Sequence, residues 1–108
     1  MVNHQTPSLS FEVFPPNPAV GNDKIFQALR EMQDLAPHFI SVTASNNKFD
    51  IEETTVRLAE FISNDLEIPT IAHLPAVYLT KEMVSNILQA LDRVGVNQIL
   101  ALRGDIFP

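Results

Sequence analysis

Five side chains able to exchange protons or hydrogen bonds, Glu12, Thr43, His73, Arg103 and Asp105, form a regular series along this chain. From Glu12 to Arg103 they recur at intervals of about 30 residues, the length of one strand-plus-helix unit. Gathered in one place, a carboxylate, a hydroxyl, an imidazole and a guanidinium supply the few convergent polar groups of a ligand pocket. Each also has a plainer use. Glu12 suits the solvent side of an edge strand. Thr43 is a good strand former. His73 fits a satisfied core histidine. Arg103 and Asp105 can pair at the surface, or shape a turn around Gly104.

Glu12 carries the most information. It stands inside Ser10-Phe11-Glu12-Val13-Phe14-Pro15-Pro16, which reads as a strand stopped by two prolines that cannot donate to a sheet ladder. Alternation puts Leu9, Phe11 and Val13 on one face and Ser10, Glu12 and Phe14 on the other. If apolar groups cover the second face, burial favours the protonated carboxyl and makes Glu12 a proton donor. If the strand is an exposed edge, Glu12 is merely solvated.

The elements that must position these residues follow from periodicity. A helix is predicted from Asn22 or Asp23, with Ile25, Phe26, Leu29, Met32 and Leu35 apolar and Pro37 ending it. Phe39 to Thr43 is a second strand. Asp50 and Glu53 have capping-box spacing before a helix that buries Ile51, Thr55, Leu58, Ala59 and Ile62 and ends near Asn64-Asp65. Glu52-Glu53 reads as acid placed at the positive end of that helix. Thr70 to Leu74 is a third strand, with Pro75 as its stop. Thr80 caps a third helix, with Val84, Ile87, Leu88, Leu91 and Val94 apolar and Gly95 at its end. Gln98 to Leu102 is a fourth strand. The class is α/β, in the order β-α-β-α-β-α-β, with a parallel sheet. An open doubly wound sheet and part of an eight-stranded barrel share this pattern. The first strand lacks a G-x-G-x-x-G turn, which counts against a dinucleotide-binding open sheet. In either architecture the five residues fall at the carboxyl ends of the strands, where ligands bind.

Composition narrows the rest. The 108 residues suit a single domain, with residues 1–7 expected to be a disordered lead-in. A net charge of −6 and seven scattered basic residues argue against nucleic acid. No apolar run is long enough for a membrane span, and the first residues lack the pattern of a signal peptide. The cytoplasm is the expected location. With no cysteine there is no disulfide or thiolate chemistry. No histidine or carboxylate cluster has metal-ligand spacing, so no metal is expected. His4 reads as solvated and His38 as structural.

The run from Ser10 to Pro16, together with Phe39-Ile40-Ser41-Val42-Thr43, Ala72-His73-Leu74 and Leu100-Ala101-Leu102-Arg103-Gly104-Asp105, resembles the first four strands of the 5,10-methylenetetrahydrofolate reductase family, in order and at about its spacing. The resemblance implies the amino-terminal half of a (β/α)8 TIM barrel that holds FAD at its strand ends. It implies reduction of the flavin by NADH or NADPH, and hydride transfer to methylenetetrahydrofolate to give 5-methyltetrahydrofolate. By position Glu12 matches the general acid that protonates the folate N10, and Asp105 the acid that stabilises the resulting cation. Thr43, His73, Arg103, Gly104 and Asp105 match the cofactor-binding positions. Ala44-Ser45-Asn46-Asn47 stands where the family has a glycine-rich turn, and Pro75-Ala76 where threonine and cysteine often follow. Half a barrel leaves open edges, so a homo-oligomer is expected. The alternative is a non-catalytic, self-associating half-barrel or a flavin-binding remnant.

Overall fold

A computed structural model describes residues 7–16, 23–44 and 49–103. The elements are β1 (Ser10–Val13), α1 (Asp23–Gln33), β2 (Phe39–Val42), α2 (Ile51–Glu60), β3 (Thr70–Pro75), α3 (Lys81–Arg93) and β4 (Gln98–Leu102). A π-helical turn, Phe61–Asp65, extends α2, and a 3-10 turn, Ala76–Tyr78, follows β3. The strands form one parallel sheet in the order β1-β2-β3-β4.

That order decides between the two architectures left open by periodicity. Parallel crossovers are almost always right-handed. Four strands laid down in one direction therefore put every helix on the same face, as in a (β/α)8 barrel. A doubly wound sheet needs a reversal of direction, and none occurs among these strands. The fold is an α/β half-barrel.

Burial follows the same division. Val13, Ile40, Val42, Ala72 and Leu74 are buried on the helix side of the sheet, together with Leu29, Ile51, Leu58, Ile62, Ile87 and Leu91 from the helices and the turn after α2. Each such side chain contributes roughly 1.5–3 kcal/mol by leaving water. α1 also docks through its aromatic ring: Phe26 stacks on Phe61 at 4.1 Å, and the Arg30 guanidinium lies 5.2 Å from the Phe61 ring centroid.

The helix ends agree with the sequence in some places and depart from it in others. Thr80 accepts a hydrogen bond from the Met83 amide at 3.1 Å, as its N-cap role requires. Gly95 adopts φ +80°, and the amides of Gly95 and Val96 close onto Asp92 and Leu91, the paired bonds of a Schellman ending. The Asn64 side-chain amide donates to the Val94 carbonyl at 3.0 Å, tying the turn after α2 to the end of α3. The capping box at Asp50 does not form. Asp50 has φ −101° and ψ −2° instead of the extended backbone a cap needs, and its side chain makes no cap bond. Its carbonyl instead accepts from Glu53, from Thr54 and from the Thr54 hydroxyl.

β3 ends at Pro75 as expected, with the proline itself the last paired residue, in register with Leu102. The first helix ends at Gln33 rather than running to Pro37, and Leu35 is exposed in the turn beyond it. Leu88 lies on an exposed flank of α3 although its spacing fits the apolar stripe. Glu67 and Ala36, both outside helices and strands, take positive φ of 56° and 51°.

Candidate functional site

On the helix-free face the register aligns Glu12 with Ser41 and Ser41 with Ile71, while His73, two residues further along β3, aligns with Leu100. β1 and β3 are two strand spacings apart, roughly 10 Å. The Glu12 and His73 side chains nevertheless meet across β2, with Glu12 Oε1 3.7 Å from His73 Nε2. This is ion-pair range and longer than a hydrogen bond. The two ends differ in burial. The His73 side chain is 9% exposed and the Glu12 side chain 53% exposed.

The apolar enclosure of Glu12 considered above is therefore absent among the described residues. β1 is a sheet edge, and the face bearing Glu12 has no helix over it. Glu12 takes the solvent-facing alternative, but with an imidazole beside it.

Thr43 follows β2 and is held firmly by its backbone. Its amide donates to the Val13 carbonyl at 3.0 Å, and its carbonyl accepts from the Thr55 hydroxyl of α2 at 3.1 Å. The Thr43 hydroxyl oxygen is buried and has no hydrogen-bond partner. A buried hydroxyl left unpaired costs about 1–3 kcal/mol, so a structure rarely keeps one without use.

Arg103 is exposed just beyond β4, and its carbonyl accepts from the Val77 amide at 3.0 Å. That bond ties the end of β4 to the 3-10 turn after β3. Gly104 and Asp105 lie outside the described residues, so the structure brings together Glu12 and His73, with Thr43 at the same strand ends. The site also has an apolar component that the polar series did not single out. Phe14, Leu100 and Leu102 are exposed by 66%, 47% and 38%. Alternation from Glu12 and the register of His73 with Leu100 put all three on the helix-free face. The signal for Leu100 and Leu102 was present in β4, where both share one parity with His73's partner position.

His38, expected to be structural, has such a place. Its Nδ1 accepts from the Leu9 amide at 3.2 Å, and its own amide donates to the Leu9 carbonyl at 2.8 Å, at the amino-terminal ends of β1 and β2. A groove of about 580 Å³ lies elsewhere, between Leu79 and the Val84–Leu88 side of α3. Its lining includes none of Glu12, Thr43, His73 and Arg103, and the meeting of Glu12 and His73 is the better guide to chemistry. Among the described residues no three histidines or carboxylates converge as metal ligands. No helix among them is long and apolar enough to cross a membrane.

Comparison with known proteins gives the family. The sequence profile of the methylenetetrahydrofolate reductase family matches residues 1–108. The chain is 34% identical over 100 residues to the 5,10-methylenetetrahydrofolate reductase of Buchnera aphidicola subsp. Baizongia pistaciae, covering 93% of this chain and 34% of that protein. It is 31% identical over 98 residues to a probable methylenetetrahydrofolate reductase (NADH) of Oryza sativa subsp. japonica, covering 89% of this chain and 16% of the relative. The Salmonella typhimurium 5,10-methylenetetrahydrofolate reductase is 27% identical over 101 residues, covering 94% of this chain and 34% of that protein. The chain thus spans about a third of the length of these bacterial relatives and about a sixth of the rice protein. With a family match that runs its whole length and a parallel half-barrel beneath it, the chain belongs to the methylenetetrahydrofolate reductase family.

Proposed function

We propose that this chain supplies the first four strands of a barrel that reduces 5,10-methylenetetrahydrofolate to 5-methyltetrahydrofolate, with FAD as the bound cofactor and NADH or NADPH as reductant. The observation that carries the reading is the meeting of Glu12 and His73 on the helix-free face, in a chain matched by the family over its full length.

The residues suit a flavin. Thr43 offers a buried hydroxyl without a partner, and Leu100 and Leu102 offer apolar surface on the face that bears His73. Thr43, His73, Arg103, Gly104 and Asp105 would hold the group. When bound, FAD supplies the hydride chemistry. The chain's own groups handle protons and charge. Glu12 gives its proton to the folate N10, which opens the five-membered ring and leaves a cation. Asp105 would supply the negative charge that stabilises that cation. Positioned acids of this kind contribute roughly 100- to 10,000-fold in rate. The rice relative's name specifies NADH, which makes NADH the first reductant to try.

The test is spectroscopic. The purified chain is incubated with FAD, desalted and scanned, then given NADH or NADPH, then methylenetetrahydrofolate. A yellow protein that bleaches with reductant and recovers its colour with the folate supports the proposal. Failure to retain FAD refutes it for this chain.

A second reading is a non-catalytic half-barrel that pairs with a second copy of itself. The exposed Phe14, Leu100 and Leu102 favour it. Sedimentation at increasing concentration distinguishes the two, because this reading requires a colourless dimer.

A further inference from the structure

We propose that His73 is the positioning residue for Glu12, holding its carboxyl over the sheet and presenting an N–H to the carboxylate left when Glu12 gives up a proton. The inference rests on the reading of Glu12 as proton donor. It follows from the asymmetry of the contact. His73 is nine-tenths buried on β3, a strand paired on both sides, so its ring has one fixed direction. Glu12 lies on the edge strand β1 and is half exposed, with several rotamers open to it. A contact between a fixed group and a mobile one orients the mobile one.

Stability does not explain the pair. An ion pair with one solvated partner contributes little to folding. Its value is directional, since it draws the carboxyl inward over β2, toward the rim where Thr43 stands. The 3.7 Å separation closes to a hydrogen bond by a small rotation of the Glu12 side chain, and catalytic contacts commonly tighten in this way when substrate binds.

The atoms involved define the proton balance. With Glu12 ionised, the His73 hydrogen must sit on Nε2 to face Oε1. With Glu12 protonated, the acid proton sits on Oε2 and Oε1 still faces Nε2–H as acceptor. Transfer breaks the Glu12 O–H bond and forms an N–H bond on the acceptor. The carboxylate that remains faces an Nε2–H that stays on His73. His73 therefore keeps its hydrogen on Nε2 before and after the transfer.

Imidazole 15N NMR of this chain, without flavin or folate, tests the contact. The chain has three histidines, and His38 serves as internal control. At one neutral pH, Glu12→Gln is expected to move the His73 ring nitrogens and leave those of His38 in place. Glu12→Gln alters a half-exposed side chain and keeps the fold. In the reverse direction, His73→Gln is expected to move the Glu12 side-chain carboxyl carbon. Unmoved His73 resonances in Glu12→Gln overturn the proposal, as do equal shifts at His73 and His38. Because neither cofactor nor substrate is used, failure here is separable from failure of the flavin test above.

Discussion

Replacing Thr43 by valine removes one oxygen atom and changes the shape of the side chain very little. That oxygen is buried without a partner, while the backbone of Thr43 is fixed by its bonds to Val13 and Thr55. An unpaired buried hydroxyl costs about 1–3 kcal/mol, and valine retains the strand preference of threonine. Thr43→Val is therefore expected to stabilise the ligand-free chain by about 1 kcal/mol or more. For a domain of this size each 1 kcal/mol raises Tm by about 4–8 °C. Thermal and urea unfolding, followed by circular dichroism without ligand, give the two values independently. The same variant should retain less FAD, because the lost hydroxyl is the group left free for a ligand. Opposite signs in stability and in ligand uptake identify a position kept for function at the expense of the fold. Destabilisation by Thr43→Val would refute the reasoning, since it would mean that the hydroxyl is already satisfied, for instance by a bridging water.

Other perturbations test separate parts of the account. Leu29→Ala opens a cavity at a fully buried position and should cost about 2–5 kcal/mol, read as a lower urea midpoint with unchanged slope. Gly95→Ala should cost about 1–2 kcal/mol through its positive φ alone, because the nearest atom to an added Cβ is Asn64 Oδ1 at 4.0 Å. Ala36→Gly, at φ 51°, should do the reverse and stabilise by up to about 1 kcal/mol in the same melts. In a form that turns over folate, Glu12→Gln should slow folate reduction by roughly 100- to 10,000-fold. With FAD saturating, adding His73→Gln to that variant should slow it little further if His73 acts through Glu12, whereas independent roles would multiply.

Much of the fold was legible because its signals are local. Thr80 and Gly95 declare the ends of α3 by chemistry that neighbouring residues cannot override. The strands and helices alternate with unmistakable period. Strand order is not local, and it alone separates a barrel from a doubly wound sheet. Asp50 misled because capping needs an extended backbone as well as a suitable side chain. Leu35 and Leu88 misled because spacing identifies an apolar stripe but not which of its flanks is covered. For the site, residue types and strand ends were readable, and so was the parity that puts Glu12 and His73 on the helix-free face. Their contact was not, since it spans β2 between residues that are far apart in the chain. Nor was the exposure of Glu12, which depends on what lies across the sheet.

The register of β3 carries a consequence for how such a chain tolerates change. Ala72 and Leu74 belong to the apolar layer, and His73 between them belongs to the opposite face. A residue gained or lost within Thr70–Leu74 would exchange these roles, sending the imidazole among the helices and a methyl or isobutyl group toward Glu12. The same change in a connection outside the strands would leave the exchange unmade. Strand positions therefore act as a parity check on inherited insertions and deletions, and variation in length should collect in the connections between elements.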